Sequence, residues 1–283
     1  MAQSAHGAIF VIGQFSIGGQ TVRVNFTRGN CIAIPLEFAG QQPNIFNATP
    51  AQAEPMQGEG FVGDTRQAGP CNVPILTINP HCNGTHTESV AHIVHESVAI
   101  HEAMPAGLIP ATLISLLSFP AIGSGESYRP ALGKSDSFIT ATALHTLLND
   151  QLDTWLQAVI IRTLPNHLEK LHRRYGDLYL PPFLSIEAID YLISRGVQHL
   201  LVDIPSVDRM WDEGLLTVHH RFWNVPEGTH ALTADTRRDR TITELIYVPD
   251  SVPDGRYLLD LQIPAFSTDA APSRPWLYPV EFI

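Results

Sequence analysis

Cysteine is scarce in this 283-residue chain, which has only Cys31, Cys71 and Cys82. Three is too few and odd a number for a disulfide scaffold, and it fits a reducing compartment. Basic residues are also few: 17 Lys and Arg stand against 28 Asp and Glu, a formal net charge of −11 with His neutral. Nucleic acids and anionic membranes are bound through clustered Lys and Arg, so neither is an expected partner. Long hydrophobic runs are missing as well. The longest apolar stretch, 106–122, is interrupted by Pro110 and Pro120. It falls short of the roughly 20 residues of a membrane span and reads as a buried strand with its turns. No basic residue precedes the apolar run Ala8-Ile9-Phe10-Val11-Ile12, which argues against a secretory signal. These absences predict a soluble, cytoplasmic protein.

Hydrophobic residues make up 44% of the chain and charged residues 16%, enough for a large core. The 22 prolines exceed the usual share of about 5% and predict many loops. Gly40 to Pro74, rich in Gly, Pro, Gln and Asn, reads as long loops. Thr140 to Leu156 has a helical apolar period, with Thr140 or Thr142 as N-cap. Ala158-Val159-Ile160-Ile161, ending at Arg162-Thr163, reads as a strand buried on both faces. Ser185 opens a second helix, Gly196 suits its left-handed C-terminal cap, and Leu200-Leu201-Val202 forms the next strand. Strand, helix and strand in that order predict a βαβ unit and an α/β fold. Gln20 to Phe38 and Val73 to Ile78 also read as strands.

Candidate chemistry concentrates between His81 and His92. If the segment is extended, Cys82, His86 and Glu88 share one face, with Gly84 removing bulk between them. Thiolate, imidazole and carboxylate are all zinc ligands. His81 has the opposite parity, which favours Cys82 over it, although a turn at Asn83-Gly84 would reset the alternation. His95-Glu96 and His101-Glu102 read as a solvated or dimer-facing stretch.

Cys82 to His92 resembles the H-x-G-T-H-x-D-x-P-x-H signature of the cyclase superfamily, metal-dependent hydrolases of the kynurenine formamidase and isatin hydrolase type. Gly84-Thr85-His86 and His92 match outright. Ile34-Pro35-Leu36, Ile161-Arg162-Thr163, Leu184 to Ala188, Asp203 to Asp208 and Ala271 to Pro275 resemble further family segments in the same order. The resemblance covers most of the chain. It implies one domain over residues 1–283, with the swivelling β/α/β fold and a mixed central sheet flanked by helices.

By position, the resemblance assigns metal ligation to Cys82, His86 and Glu88, with His220 and Glu244 completing the site. His219 is the alternative to His220. Glu244 is carried over as catalytic as well as ligating, and His92 as the acid–base group. Cys82 stands where the family has His, Glu88 where it has Asp, and Val90 where it has Pro. The thiolate favours zinc over manganese, and one or two ions fit the pattern. The activity implied is arylformamidase-like: hydrolysis of an amide, formamide or lactam C–N bond by a homodimer or higher homo-oligomer. A non-catalytic small-molecule binder and a metal-dependent lyase or cyclase are the two other classes open. Phe46, Trp211, Phe222 and Trp223 are candidates for an apolar substrate wall.

Overall fold

Strand Ala158–Leu164 is the hub of the main sheet, and its sequence shows why. Ala158, Val159, Ile160 and Ile161 are all fully buried. Val159 and Ile161 join one apolar cluster, and Ala158 and Ile160 join another. Alternate residues of a strand face opposite sides, so both faces of this one are covered. The computed structural model, which describes residues 10–176 and 178–283, sets it within an 11-stranded sheet. Ala8 and Ile9 of the N-terminal apolar run lie outside the described residues.

In chain order the strands of this sheet are β1 (Ile12–Ile17), β2 (Gln20–Asn25), β3 (Asn30–Cys31), β4 (His86–Glu88), β5 (Ile109–Leu117) and β6 (Ala158–Leu164). They continue with β7 (His199–Val202), β8 (Thr241–Glu244), β9 (Gly255–Asp260), β10 (Ala270–Pro272) and β11 (Trp276–Phe282). Their order in space is β1-β2-β11-β9-β5-β6-β7-β8-β4-β10, with β3 on β11. The central strands β5, β6, β7 and β8 are parallel. Antiparallel pairs extend the sheet on both sides, so it is mixed, as the α/β reading requires.

The helices are α1 (Pro80–Asn83), α2 (Ile100–Ala103), α3 (Ala141–Leu148), α4 (Ile186–Ser194) and α5 (Thr217–Trp223). Leu144, Leu148, Ile189, Leu192, Phe222 and Trp223 from the last three pack into the same cluster as Val159 and Ile161. β6, α4 and β7 form the expected βαβ unit. Ser185 Oγ accepts the Ala188 N–H at 2.9 Å, and Gly196 follows the helix with φ +75°. Thr140 caps α3 by accepting the Ala143 N–H at 3.2 Å. No helix among the described residues is long and apolar enough to cross a membrane.

Three local expectations are corrected. The helix from Thr140 stops at Leu148 rather than reaching Leu156, and only a 3₁₀ turn forms at Asp153–Trp155. Arg195, at the end of α4, donates to the Leu148 and Gln151 carbonyls and so closes the helix early. The stretch from Gln20 yields two strands, not one, because Asn25 caps a 3₁₀ turn at Phe26–Arg28. Pro74–Thr77 is a strand, but it pairs with Gln52–Pro55 in a hairpin outside the main sheet, within what reads as loop.

Two buried polar residues tie the elements that carry the candidate site. His199, at the start of β7, has Nδ1 2.9 Å from Thr241 Oγ1 on β8. Asp208 accepts the Val218 and His219 N–H groups at 2.7 and 3.1 Å and thereby caps α5. It also accepts the Tyr128 hydroxyl at 2.6 Å.

Burial pushes the His199 pKa from 6.5 down to about 4. The unfolded chain therefore binds the extra proton between those values, so stability is full above 6.5 and falls as pH drops through the window. The cost between about pH 7 and about pH 4.5 is on the order of 2 kcal/mol. His199→Gln should flatten that part of the stability–pH curve by this amount, measured by denaturant unfolding at the two pH values; an unchanged slope would refute the assignment. Asp208→Ala strands buried donors and should cost about 3–5 kcal/mol in the same measurement. A loss below about 1 kcal/mol, the scale of an ordinary hydrogen bond, would show that Asp208 does not hold α5.

Candidate metal centre

The site is built on β4, a strand of three residues. His86 and Glu88 face one side and Thr87 the other, where its hydroxyl meets Thr243 at 2.8 Å. β8 runs antiparallel beside it with Glu244 opposite His86, and β10 pairs along its other edge. His86 and Glu88 are completely buried and Glu244 nearly so. Their ligand atoms lie within 4.8 Å of one another.

The segment before β4 is not extended. Pro80–Asn83 forms one helical turn, with Cys82 and Asn83 donating their N–H groups to the Asn79 carbonyl at 3.1 Å. The strand alternation therefore starts only at His86. Cys82 lies outside the convergent ligand atoms and packs beside Ile34, Ile45, Tyr175, Met210, Leu245 and Tyr247. His81 instead faces the site: its Nδ1 is 3.1 Å from Glu88 Oε2 and its Nε2 is 2.9 Å from Asp269 Oδ2. His81, Glu88 and His92 form a second group within 4.8 Å that shares Glu88 with the first.

Of the two later histidines, His219 reaches the site. Its Nε2 is 2.8 Å from Glu88 Oε1 and 4.0 Å from Glu244 Oε1, and its Nδ1 is 2.5 Å from Asp208 Oδ2. His220, on the next helical position, turns its Nδ1 to the Val225 carbonyl at 3.1 Å. His92 ends a 3₁₀ turn, Val90–His92, and stacks on His81 with ring centroids 4.3 Å apart. Its Nδ1 is 3.4 Å from Asp269 Oδ2 and 3.8 Å from Glu88 Oε2. Asp208 and Asp269 were not singled out in the sequence. Asp208 lies inside a matched segment and Asp269 two residues before another, and this proximity is the only signal the sequence offers for them.

Three buried atoms here have no hydrogen-bond partner: His81 Nδ1, His86 Nε2 and Glu88 Oε2. The first and third lie 3.1 Å apart without forming a hydrogen bond. His86 Nδ1 is satisfied by the Gly84 carbonyl at 2.9 Å, which leaves Nε2 as a free lone pair facing Glu244 Oε2 at 3.4 Å. Glu244 Oε1 accepts the Val207 N–H at 2.8 Å. Among the described residues, the ion pairs of Glu88, Glu244, Asp208 and Asp269 are with imidazoles alone, none with Lys or Arg. Orphaned buried polar atoms are costly, and a cation bound by them removes that cost. Two imidazole nitrogens and carboxylate oxygens fit a divalent ion.

The titrations follow from the same crowding. Burial opposes charge on Glu88, yet the His92 and His219 imidazoles hold its carboxyl well below the usual range. Burial likewise opposes charge on His219, but Glu88 and Asp208 raise it well above the ordinary histidine value. His81, despite burial, is pushed up to about 10 by the Asp269 and Glu88 carboxylates. Burial and the Glu244 carboxylate push the Cys82 thiol up.

A cavity of about 620 Å³ opens beside Gly84 and Thr85, the residues that lead into β4. Ile34, Leu36 and Tyr247 give it apolar walls, and Ser273 and Arg274 add polar groups. A cavity of similar size, about 640 Å³, is lined by Leu117, Phe119, Ile122 and Leu147; neither cavity is lined by His81, His86, Glu88, His92, His219 or Glu244. Phe222 and Trp223 are fully buried core residues, not a substrate wall. Phe46 and Trp211 are half exposed and pack on each other, with ring centroids 5.3 Å apart.

A model of the cyclase family, described as "Putative cyclase", matches residues 32–209. The kynurenine formamidase of Bacillus thuringiensis (strain Al Hakam) is 24% identical over 216 residues, covering 76% of this chain and 83% of its own. The kynurenine formamidase of Bacillus cytotoxicus is 25% identical over 216 residues, with the same coverage. Among solved structures, isatin hydrolase A from Labrenzia aggregata superposes with TM-score 0.59 at 14% identity, covering 90% of this chain and 94% of that one. A predicted metal-dependent hydrolase from Bacillus stearothermophilus superposes with TM-score 0.57 at 18% identity, covering 89% and 98%. The match over most of the signature-bearing chain, with the shared fold around it, makes this protein a member of the cyclase family.

Proposed function

We propose that the protein is a metal-dependent hydrolase that cleaves an amide, formamide or lactam C–N bond. The observation that carries this reading is the convergence of three unpartnered buried atoms from His81, His86 and Glu88 in one place. The kynurenine formamidase relatives support the reaction class. His86, Glu88, Glu244 and His219 are the residues that would hold a divalent cation, zinc or manganese, since the thiolate that favoured zinc lies outside the set. Such an ion, when bound, supplies Lewis acidity, lowering the pKa of a water toward about 7 and polarising a carbonyl.

The chain's own residues do the rest. Asp208 fixes the His219 ring so that Nε2 points at Glu88. The Gly84 carbonyl fixes the His86 tautomer in the same way. His92 lies on the more open side of the cluster, in reach of Asp269 and beside His81. There it takes a proton from the attacking water and returns it to the leaving nitrogen. The cavity beside Gly84 and Thr85 has the volume of a small-molecule site, with apolar walls to exclude water. A cytoplasmic enzyme that acts as a homodimer or higher homo-oligomer is part of the same proposal.

Protein purified without chelators should contain close to one or two equivalents of a divalent metal by elemental analysis. A content below about a tenth of an equivalent, with no uptake on titration, would remove the metal-centre reading. A panel of amides, formamides, lactams and lactones then separates a hydrolase from a lyase or a non-catalytic binder. His92→Ala should keep its metal and lose roughly 10²–10⁴-fold in turnover on the substrate found. Loss of metal would make His92 a ligand, and unchanged turnover would make it structural.

A further inference from the structure

Resting on the metal-centre reading above, we infer that His81, oriented by Asp269, is a metal ligand in this chain and that Cys82, its neighbour at the signature's first position, is not. The argument starts with the helical turn Pro80–Asn83. Successive residues on a helix point about 100° apart, so His81 and Cys82 cannot both face β4. The turn aims His81 at Glu88 and sends Cys82 into the apolar group around Ile34, Tyr175 and Met210.

The two nitrogens of His81 are in different situations. Nε2 lies 2.9 Å from Asp269 Oδ2, in hydrogen-bond geometry. Nδ1 is buried, has no hydrogen-bond partner and lies 3.1 Å from the equally unpartnered Glu88 Oε2. A carboxylate on one imidazole nitrogen keeps the proton there, orients the ring and leaves the other nitrogen as a more basic donor to a metal. Asp269 stands just before β10, which pairs with β4 and places Ala270 opposite Glu88. The carboxylate is therefore carried by the same strand pairing that positions Glu88. Its Oδ2 is also 3.4 Å from His92 Nδ1, so it sets the stacked pair of rings together. Asp269 is a positioning residue in this arrangement, acting through His81.

The test is metal binding by the full-length protein, stripped with chelator and titrated with Zn²⁺ and Co²⁺. His81→Ala should lower affinity at least about 100-fold, and Asp269→Asn by about 10-fold, the loss usual when a ligand's carboxylate partner is removed. Cys82→Ser should leave affinity within about threefold, inside the margin for a residue that contributes no bond to the metal. The cobalt-loaded parent should show no thiolate-to-cobalt charge-transfer band, and its spectrum should be unchanged in Cys82→Ser. This spectrum decides the point even if His81→Ala fails to fold, which circular dichroism would report. A thiolate band in the parent, or loss of affinity in Cys82→Ser with retention in His81→Ala, overturns the inference while leaving the metal centre standing. A parent that takes up neither ion overturns both, and Asp269→Asn binding as tightly as the parent overturns the role of Asp269.

Discussion

The site depends on how a three-residue strand is held. His86, Thr87 and Glu88 are completely buried, and two of them are ionisable. Such a segment is stable only if its backbone groups are paired and its side chains find partners. β8 and β10 provide the first on either edge. The same register provides the second, because it sets Glu244 opposite His86 and brings Asp269 to the end of the strand beside Glu88. Backbone pairing and site assembly are one constraint. A one-residue slip of β4 would turn Thr87 inward and send His86 and Glu88 to the opposite face.

Around that strand, each imidazole is steered by a partner on its far nitrogen: Gly84 for His86, Asp208 for His219 and Asp269 for His81. Gly84 is two residues from His86 and Asp208 eleven from His219, whereas Asp269 lies 188 residues beyond His81. Asp208 does a second task by capping α5, the helix that carries His219. The three rings sit on β4, α5 and α1, while their partners lie in bends between elements, an arrangement that fixes each imidazole at the cost of buried charge. The loop after α5 reinforces the arrangement: His230 meets the Ile93 carbonyl at 2.9 Å, and Arg237 donates to the Arg221 and Phe222 carbonyls.

Much of the scaffold was legible in the sequence because local signals agreed with burial. The continuous apolar run 158–161 could only be a doubly covered strand, and the Ser185 cap and Gly196 bracketed α4 in the way helix ends require. The helix after Thr140 was overextended because Leu152 and Trp155 keep the apolar period. Arg195 ends that helix through contacts more than forty residues away in sequence, beyond any local pattern. Within the site, parity correctly put His86 and Glu88 on one face, since they alone lie in a strand. It misplaced His81 and Cys82, since Pro80 at a helix start breaks the alternation just before them. His219 and His220 were indistinguishable by spacing, and only the direction of α5 separates them.

The exchange between His81 and Cys82 follows from their surroundings. A thiol among Ile34, Ile45, Tyr175 and Met210 behaves as a small apolar side chain. Burial there, with the Glu244 carboxylate near, raises its pKa and disfavours the thiolate that a metal requires. The imidazole one position earlier has the opposite setting, with a carboxylate beside each nitrogen. One helical turn therefore assigns two adjacent residues to different tasks. Cys82 packs against the apolar wall of Ile34, Ile45, Tyr175, Met210, Leu245 and Tyr247, and His81 faces the charge. A histidine at 82 would have to bury its ring in that wall, and a cysteine at 81 would be too short to bridge Glu88 and Asp269.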